Sequence, residues 1–273
     1  MKYKDEYAVK VEGLRKCYGP HPVLKGLDFQ IRRGEIFGLI GINGAGKTTA
    51  LECMEGFRRY DGGRICVNGR IGVQLQSASL PAYMKAMEAV RLFAAWKQTK
   101  PDPSVLSALE ISRLQKKNYG ELSTGQKQRL HLALALTGDP EILILDEPAA
   151  GLDVEGRTAL HGLIRSMRDR GKTILLTSHD MAEVEELCDR IAVLHRGMLV
   201  FTGTARELTE KAGGRYQIRI ATEEGEASCT ADNISETLLA LLTEYKQQNR
   251  TVLDIQISRG SLEQHLLRIA RGG

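Results

Sequence analysis

The sequence contains no apolar run that approaches the roughly 20 residues needed to cross a bilayer. Its first residues, Met1 to Glu6, also lack the apolar core of a secretion signal. We therefore expect a protein that stays in the cytosol and that takes any membrane role through a partner.

Aromatic residues are scarce, and the excess of positive over negative charge is small. The 273-residue chain has one tryptophan, Trp96, and five phenylalanines, so it lacks evident aromatic platforms on which single-stranded nucleic acid stacks. The net charge is only +4, and no run of five basic residues occurs. Because scattered charges are typical of a solvated surface, we expect no nucleic-acid partner.

Cysteine patterns that build disulfides or zinc sites are missing as well. The five cysteines are widely spaced and form no C-x-x-C pair: Cys17, Cys53, Cys66, Cys188 and Cys229. An odd number with this spacing favours free thiols in a reducing compartment.

The most informative stretch is a glycine-rich loop between a strand and a helix. The apolar run Ile36–Ile40 predicts a buried strand, and Ala50–Glu55 predicts the start of a helix. Between them, Gly41–Thr49 matches G-x-x-x-x-G-K-[ST], and this context argues against a chance glycine-rich turn. Glycines let successive N–H groups face a phosphate, and the helix N-terminus adds a positive dipole end. We expect Lys47 to reach the β- and γ-phosphates and the Thr48 hydroxyl to bind Mg²⁺.

Two further apolar runs end in side chains that suit chemistry. Glu141–Pro148 predicts a buried strand that ends in Asp146 and Glu147, and Thr173–Ser178 predicts another that is followed by His179. The carboxyl ends of parallel strands form the ligand-binding edge of an open α/β sheet. Loop or cap acids and a structural histidine are the alternatives, and the shared edge favours a functional site.

The remaining β-strands predict smaller sheets. Residues 7–33 alternate as antiparallel strands joined by Gly19–Pro22, and Tyr18 just before the turn either stacks on adenine or packs on the core. The Asn68-Gly69 pair predicts a hairpin turn between the strand at 64–67 and the one at 71–76. In the latter strand, Gln74 and Gln76 share a face, so one of them can reach a site at the strand end.

Helices are predicted at 81–118, with a break at Pro101–Pro103, after Ser123-Thr124, and from Val154 to Arg170. The methionines in the first stretch suit either a core or a partner surface, and helical spacing favours the core. After residues 212–214, which resemble a linker, strands and helices alternate over about 60 residues. This part predicts a small α+β domain with a helix at 261–269.

Taken in order, these motifs resemble the nucleotide-binding subunit of ABC transporters over residues 7–208. Gly41–Thr49 is similar to Walker A, Ile142–Glu147 to Walker B with its following glutamate, and Leu122–Gln126 to the Leu-Ser-Gly-Gly-Gln signature. Gly151–Asp153 is similar to the D-loop and His179 to the switch histidine. Tyr18 matches the adenine-stacking position, and Gln76 matches the Q-loop glutamine. Two departures are Thr124 in place of the first signature glycine and the short connection between residues 67 and 71.

The resemblance implies an α/β P-loop NTPase fold of the ABC ATPase type. Its parts are a RecA-like parallel-sheet core, an antiparallel β subdomain and a helical signature subdomain at about 77–137, all within residues 1–212. Residues 213–273 would form the accessory α+β domain. The segment Gly260–Leu267 is similar to the C-terminal extension of bacterial drug- and antibiotic-resistance ATPases of the daunorubicin and bacitracin exporter group, which favours export.

The resemblance also implies ATP hydrolysis at sites shared between two subunits, as a homodimer or a paired ATPase, with ATP and Mg²⁺ as cofactors. Glu147 would be the general base, with His179, Gln76 and Lys47 as further catalytic residues. Thr48, Gln76 and, through water, Asp146 would hold Mg²⁺. The implied ATP-binding residues are Tyr18, Gly41, Asn43, Gly44, Ala45, Gly46, Lys47, Thr48, Thr49, Ser123, Gly125, Gln126 and Asp153.

Integral-membrane permease subunits would dock beside Gln76 and residues 81–118, which would hold the protein at the inner face of the cell membrane. A soluble ABC ATPase of translation or DNA repair usually carries two nucleotide domains or a long coiled-coil insert, and neither is present here. A regulator that binds ATP without hydrolysis is disfavoured by the retention of Lys47, Asp146, Glu147 and His179.

Overall fold

The structure is a computed structural model that describes residues 6–74, 79–211 and 216–259. The chain divides between Thr202 and Gly203 into two units. The division at residue 212 that the sequence suggests stays a prediction. Among the described residues, no helix has both the length and the apolar character that crossing a bilayer requires.

The first unit contains two sheets. Its described strands are β1 (Tyr7–Tyr18), β2 (His21–Arg32), β3 (Ile36–Ile40), β4 (Gly62–Val67), β5 (Ile71–Gln74), β6 (Ile142–Asp146), β7 (Thr173–Ser178), β8 (Arg190–His195) and β9 (Met198–Gly203). One sheet has the order β5-β6-β7-β3-β8-β9, and the other has the order β2-β1-β4.

The centre of the larger sheet is parallel and fully buried. Every residue of β3, β6 and β7 is buried, as continuous apolar runs predict for strands covered on both faces. Ile40 of β3 pairs with Ser178 of β7, and Asp146 of β6 pairs with Thr177. The three strands therefore end side by side, which brings the glycine loop, the two acids and His179 to one edge.

The hairpin predicted at Asn68-Gly69 is wrong. β4 pairs with β1 in the antiparallel sheet, whereas β5 pairs in parallel with β6 in the larger sheet. The Asn-Gly signal identifies a turn but not whether the flanking strands pair with each other. Tertiary packing decides here, because a Cβ at Gly72 would lie 2.1 Å from the Ala135 carbonyl oxygen, so β5 packs closely on the segment around Ala135.

The helices of the first unit follow the strands or form a separate cluster. They are α1 (Lys47–Met54), α2 (Ala86–Trp96), α3 (Pro103–Ala108), α4 (Ile111–Leu114), α5 (Thr124–Ala135), α6 (Val154–Asp169) and α7 (Met181–Leu187). Met84 and Met87 pack against the buried core around α2 and α5, which confirms the core interpretation of these methionines.

The second unit contains a three-stranded antiparallel sheet and helices. Its described elements are α8 (Ala205–Lys211), β10 (Tyr216–Thr222), β11 (Gly225–Ala231), α9 (Ile234–Gln247) and β12 (Val252–Arg259). The sheet order is β11-β10-β12, and Ile218, Ile220 and Tyr245 share a small buried core. The sequence predicted β10, α9 and β12 but missed β11. The helix predicted at 261–269, the 260–267 segment and Gln76 lie outside the described residues.

Candidate active site

The glycine loop connects β3 to α1 in a conformation that depends on its glycines. Gly44 and Gly46 have φ values of 80° and 109°, in the left-handed region that favours glycine. A Cβ at Gly41 would lie 2.3 Å from the Leu194 carbonyl oxygen, so no side chain fits there. By contrast, a Cβ at Gly44 would meet nothing within 4 Å. The loop therefore leaves open space at Gly44 and ends at the N-terminus of α1, the arrangement that suits a phosphate.

Lys47 is buried behind this loop. Its side chain is only 7% exposed, and its Nζ donates a hydrogen bond of 2.8 Å to the Gly41 carbonyl oxygen. Burial lowers the pKa of Lys47, and the nearby carboxylates of Glu147 and Asp146 oppose that shift. A bound phosphate would add negative charge close to this ammonium group. Within the part of the chain that the structure describes, no carboxylate lies within ion-pair distance of this ammonium group, which leaves it available to a phosphate.

Asp146 and Thr48 offer a set of oxygen ligands. The Thr48 hydroxyl lies 3.4 Å from Asp146 Oδ2, and Thr177 Oγ1 donates a 2.5 Å hydrogen bond to Asp146 Oδ1. Burial raises the pKa of Asp146, and the Thr177 hydrogen bond partly offsets this effect. The described residues contain no cluster of three or more acidic, histidine or cysteine ligands. A hydroxyl plus one carboxylate fits Mg²⁺, which is usually held by few protein oxygens together with substrate phosphates.

Glu147 and His179 lie at the same edge. Glu147 adopts a positive φ of 49°, a strained conformation for a residue with a side chain, and its N–H donates to Thr177 Oγ1 at 3.0 Å. One Thr177 hydroxyl therefore orients both acids. Glu147 Oε1 lies 3.3 Å from Nδ1 of His179, whose side chain is 61% exposed. The structure thus brings together the lysine, the two acids and the histidine that the sequence singled out.

Tyr18 lies at the end of β1, and 40% of the residue's surface is exposed. The Arg58 guanidinium lies 5.1 Å from the ring centroid, and Lys16 Nζ lies 5.9 Å from it. This exposure does not fit a tyrosine packed in the core. Adenine stacking on Tyr18 stays a prediction.

Ser123 and Asp153 belong to a different part of the unit. Ser123 caps α5 and accepts from the Gln126 N–H at 3.3 Å, and Asp153 caps α6 and accepts from the Gly156 N–H at 2.8 Å. Together with Gly125, they line a cavity of about 540 Å³, and none of the described residues that line it belongs to the glycine loop. The implied ATP-binding residues therefore form two groups within one chain.

The signature position Gly125 is not required by packing within this chain. A Cβ there would lie 3.6 Å from Leu152 Cδ2, an ordinary contact distance. The methyl group of Thr124 would lie 3.5 Å from a Cβ at Gly151, so the threonine that departs from the signature pattern packs beside the D-loop. Packing among the described residues therefore leaves room for a side chain at position 125.

Sequence reasoning missed Thr177, which contacts both acids. A threonine inside a buried strand carries no distinguishing pattern, and only its register beside Asp146 reveals the role. It also missed Glu55, whose carboxyl oxygens are buried without a hydrogen-bond partner among the described residues and whose pKa is raised to about 7, chiefly by burial. Gln74, the described member of the glutamine pair, is buried and donates to Gln128 Oε1 at 2.5 Å.

Comparisons with known proteins agree with this geometry. The family model described as ABC transporter matches residues 24–150. The chain is 36% identical over 209 residues to an uncharacterized ABC transporter ATP-binding protein of Methanocaldococcus jannaschii, covering 74% of this chain and 80% of that protein. It is 39% identical over 235 residues to the Nod factor export ATP-binding protein I of Rhizobium meliloti, covering 80% of this chain and 70% of that protein.

Among solved structures, the chain resembles cbiO1 from Clostridium perfringens, part of the ABC transporter complex cbiONQ. The TM-score is 0.66 with 29% identity, over 76% of this chain and 92% of that chain. The parallel-sheet core and the glycine loop therefore occur in a shared fold.

Proposed function

The chain belongs to the family of ABC transporter ATP-binding proteins, ATPases that power transport with a separate permease, and we propose that it works in pairs. Each ATP would bind between the glycine loop of one subunit and Ser123, Gly125, Gln126 and Asp153 of another. The main support for paired subunits is that Lys47, Asp146 and Glu147 lie together behind the loop, whereas the cavity at Ser123 is a separate site. The exposed Val154, with 81% of its surface accessible beside Asp153, also suits a subunit contact.

The residues of the first group have separate tasks in this proposal. The loop N–H groups and Lys47 would bind the phosphates, and Thr48, Asp146 and Gln76 would hold Mg²⁺. When bound, Mg²⁺ neutralises charge on the β- and γ-phosphate oxygens. Tyr18 stacks on adenine. Because little covalent chemistry is left to the protein, positioning and charge neutralisation supply most of the rate.

Glu147 is the proposed general base. Its carboxylate accepts a proton from the attacking water, and the strained backbone at φ 49° fixes where that carboxylate points. His179, 3.3 Å from Glu147, contacts the γ-phosphate from the exposed side of the edge. After hydrolysis, the like charges of ADP and phosphate repel each other and reopen the subunit contact.

We further propose that the transported substrate moves outward, because the relative from R. meliloti is named as an export protein. The permease would dock in an apolar groove of about 400 Å³ near the end of β5, which would hold the chain at the inner face of the membrane. Phe57 and Trp96 line this groove with 67% and 75% of their surfaces exposed. The docking groove is tested by replacing Phe57 and Trp96 with serine. This double substitution should weaken co-purification with the permease and preserve hydrolysis in the absence of the permease.

Tyr83→Ser is the matched control, because Tyr83 is 90% exposed and is not among the lining residues.

The shared site is tested with Glu147→Gln. Loss of the base should reduce phosphate release by about 100-fold or more while ATP still binds, and light scattering should show a dimer only with ATP. Asp169→Asn, at the far end of α6, is the matched control and should hydrolyse ATP as the parent does. Parental hydrolysis by Glu147→Gln would refute the base assignment. An ATP-saturated variant that stays monomeric would refute the shared site.

A further inference from the structure

One face of α6 carries two arginines and a histidine at a spacing of four residues. Arg157, His161 and Arg165 follow one another at i, i+4 and i+8, which places them along the same face of the helix. All three contact the segment around α7. Arg157 Nη1 donates to Asp180 Oδ2 at 2.5 Å, and Arg165 Nη2 donates to Glu186 Oε1 at 2.7 Å. A continuous row of polar contacts therefore joins α6 to the segment that follows His179.

The middle contact of this row is buried. His161 and Glu183 are 2% and 4% exposed, and His161 Nε2 lies 3.5 Å from Glu183 Oε1. The two atoms make a close polar contact but no hydrogen bond, and neither has a hydrogen-bond partner among the described residues. The other ring nitrogen, Nδ1, lies 3.0 Å from Glu186 Oε2. Desolvation makes such a buried pair weak evidence for stability, because apolar residues of similar volume often do as well. We therefore look for the role of the His161–Glu183 pair in the residues that it positions.

Glu183 also contacts the end of β7. Its Oε2 accepts a 2.5 Å hydrogen bond from Ser178 Oγ, and the same oxygen of Ser178 accepts from the Asp180 N–H at 3.0 Å. Ser178 and Asp180 flank His179, whose ring lies against Glu147. At its other end, α6 begins directly after Asp153. The buried pair thus connects the helix that starts at the D-loop to the residues on both sides of the switch histidine.

We propose that His161 and Glu183 form a clamp that docks the His179 segment, residues 178–187, on α6 and so positions His179 beside Glu147. His161 is a positioning residue in this scheme, because it acts through Glu183 and Ser178. The consequence for hydrolysis rests on the proposed function, whereas the docking itself does not.

The docking is tested by amide hydrogen exchange without nucleotide. In His161→Leu and in Glu183→Leu, amides within 178–187 should exchange at least about tenfold faster than in the parent. His161→Gln, which keeps one polar group between the two carboxylates, should lie between parent and leucine variant. If His161→Leu fails to fold, the exchange rates of residues 178–187 in His161→Gln test the clamp: faster exchange than in the parent supports it, and equal exchange contradicts it.

The matched control is Arg168→Ala on the same helix. Arg168 Nη1 donates to Asp189 Oδ1 at 3.3 Å, beyond the end of α7, so its loss removes an ionic contact of α6 without touching the clamp. We expect parental exchange within 178–187 for this variant. Equal exchange rates in the parent, His161→Leu and Glu183→Leu would overturn the clamp. This conclusion does not depend on whether the parent hydrolyses ATP.

Steady-state kinetics separate positioning from mere stability. Displacement of His179 should reduce kcat by about 10- to 100-fold while the Kd for ATP stays within about twofold, since a small misplacement costs rate rather than ground-state binding. The double variant His161→Leu/Glu183→Leu should be more stable than either single variant, because neither member of the pair is left buried opposite a lost partner, yet keep the low kcat. Parental kcat in the double variant would overturn the positioning role. A parent chain that binds but does not hydrolyse ATP would contradict the proposed function, and hydrogen exchange would still decide the clamp.

Discussion

The two halves of the proposed ATP site are built on different kinds of support. The glycine-loop half stands at the ends of three buried parallel strands, where Lys47, Asp146 and Thr177 are buried. The other half stands on the first turns of α5 and α6, where Ser123 and Asp153 are exposed helix caps. Strand register fixes the first half before any ligand arrives. Helix caps fix only the local backbone of the second half, and its ligand is expected to come with another molecule.

This difference predicts which measurement each substitution changes. In the strand-supported half, replacing a buried group should change nucleotide affinity or folding stability, because the buried groups contact one another, whereas Glu147→Gln removes the general base and should change turnover. In the cap-supported half, a substitution should change turnover and leave the isolated chain intact.

The largest effect is expected for Lys47→Ala in the strand-supported half. Loss of a buried ammonium group that contacts phosphate should weaken ATP binding by about 10- to 100-fold, the range for a hydrogen bond to a charged group. An equilibrium titration with ATP measures this change. Lys100→Ala, an exposed lysine, is the control and should bind ATP as the parent does. If Lys47→Ala binds ATP as tightly as the parent, the assignment of the glycine loop as the phosphate-binding part of the ATP site would be contradicted.

Thr177→Val is expected to have the next largest effect, on folding. The valine keeps the shape but loses the hydroxyl that contacts Asp146 and the Glu147 N–H, so the free energy of unfolding should fall by about 1–3 kcal/mol. Urea unfolding measures it. Thr177→Ser keeps the hydroxyl and should stay closer to the parent. A valine variant as stable as the parent would contradict the role of the Thr177 hydroxyl in folding.

Gly125→Ala tests the cap-supported half. A Cβ there has room within the chain, so stability and ATP affinity of the monomer should stay parental, while turnover falls by about tenfold because the methyl group obstructs the partner's nucleotide. Gly41→Ala is the contrasting variant, since its Cβ would meet a backbone oxygen at 2.3 Å and should destabilise the fold. Parental turnover in Gly125→Ala would argue against a trans site.

A stabilising effect, confined to neutral and higher pH, is expected for a substitution at Glu55, directly after α1. Its folded pKa of about 7 lies above the ordinary value of 4.5, so the folded state disfavours the carboxylate and the protein loses stability as the pH rises through that interval. Glu55→Gln should therefore raise the free energy of unfolding by up to about 3 kcal/mol at pH 8 and leave it unchanged below about pH 4.5. Urea unfolding at both pH values measures this, with the exposed Glu12→Gln as control. A pH-independent difference would contradict the explanation by burial.

Much of the strand-supported half could be predicted from local patterns. Continuous apolar runs identified β3, β6 and β7, and the residues directly after them identified Asp146, Glu147 and His179. These predictions succeed because a parallel strand covered on both faces must be apolar, while its carboxyl end must face the ligand edge. The Asn68-Gly69 hairpin failed because the pairing partner of a strand lies elsewhere in the chain.

The sequence by itself determined the chemistry: a phosphate loop closed by Lys47 and Thr48, and acids at a strand end, because these patterns are local. Only the tertiary structure decided that Thr177 contacts both acids, that His161 lies against Glu183, and that Ser123 lines a cavity apart from the loop. The physical reason is that these contacts join residues far apart in the chain. Their geometry follows from strand register and helix packing, which no local pattern specifies.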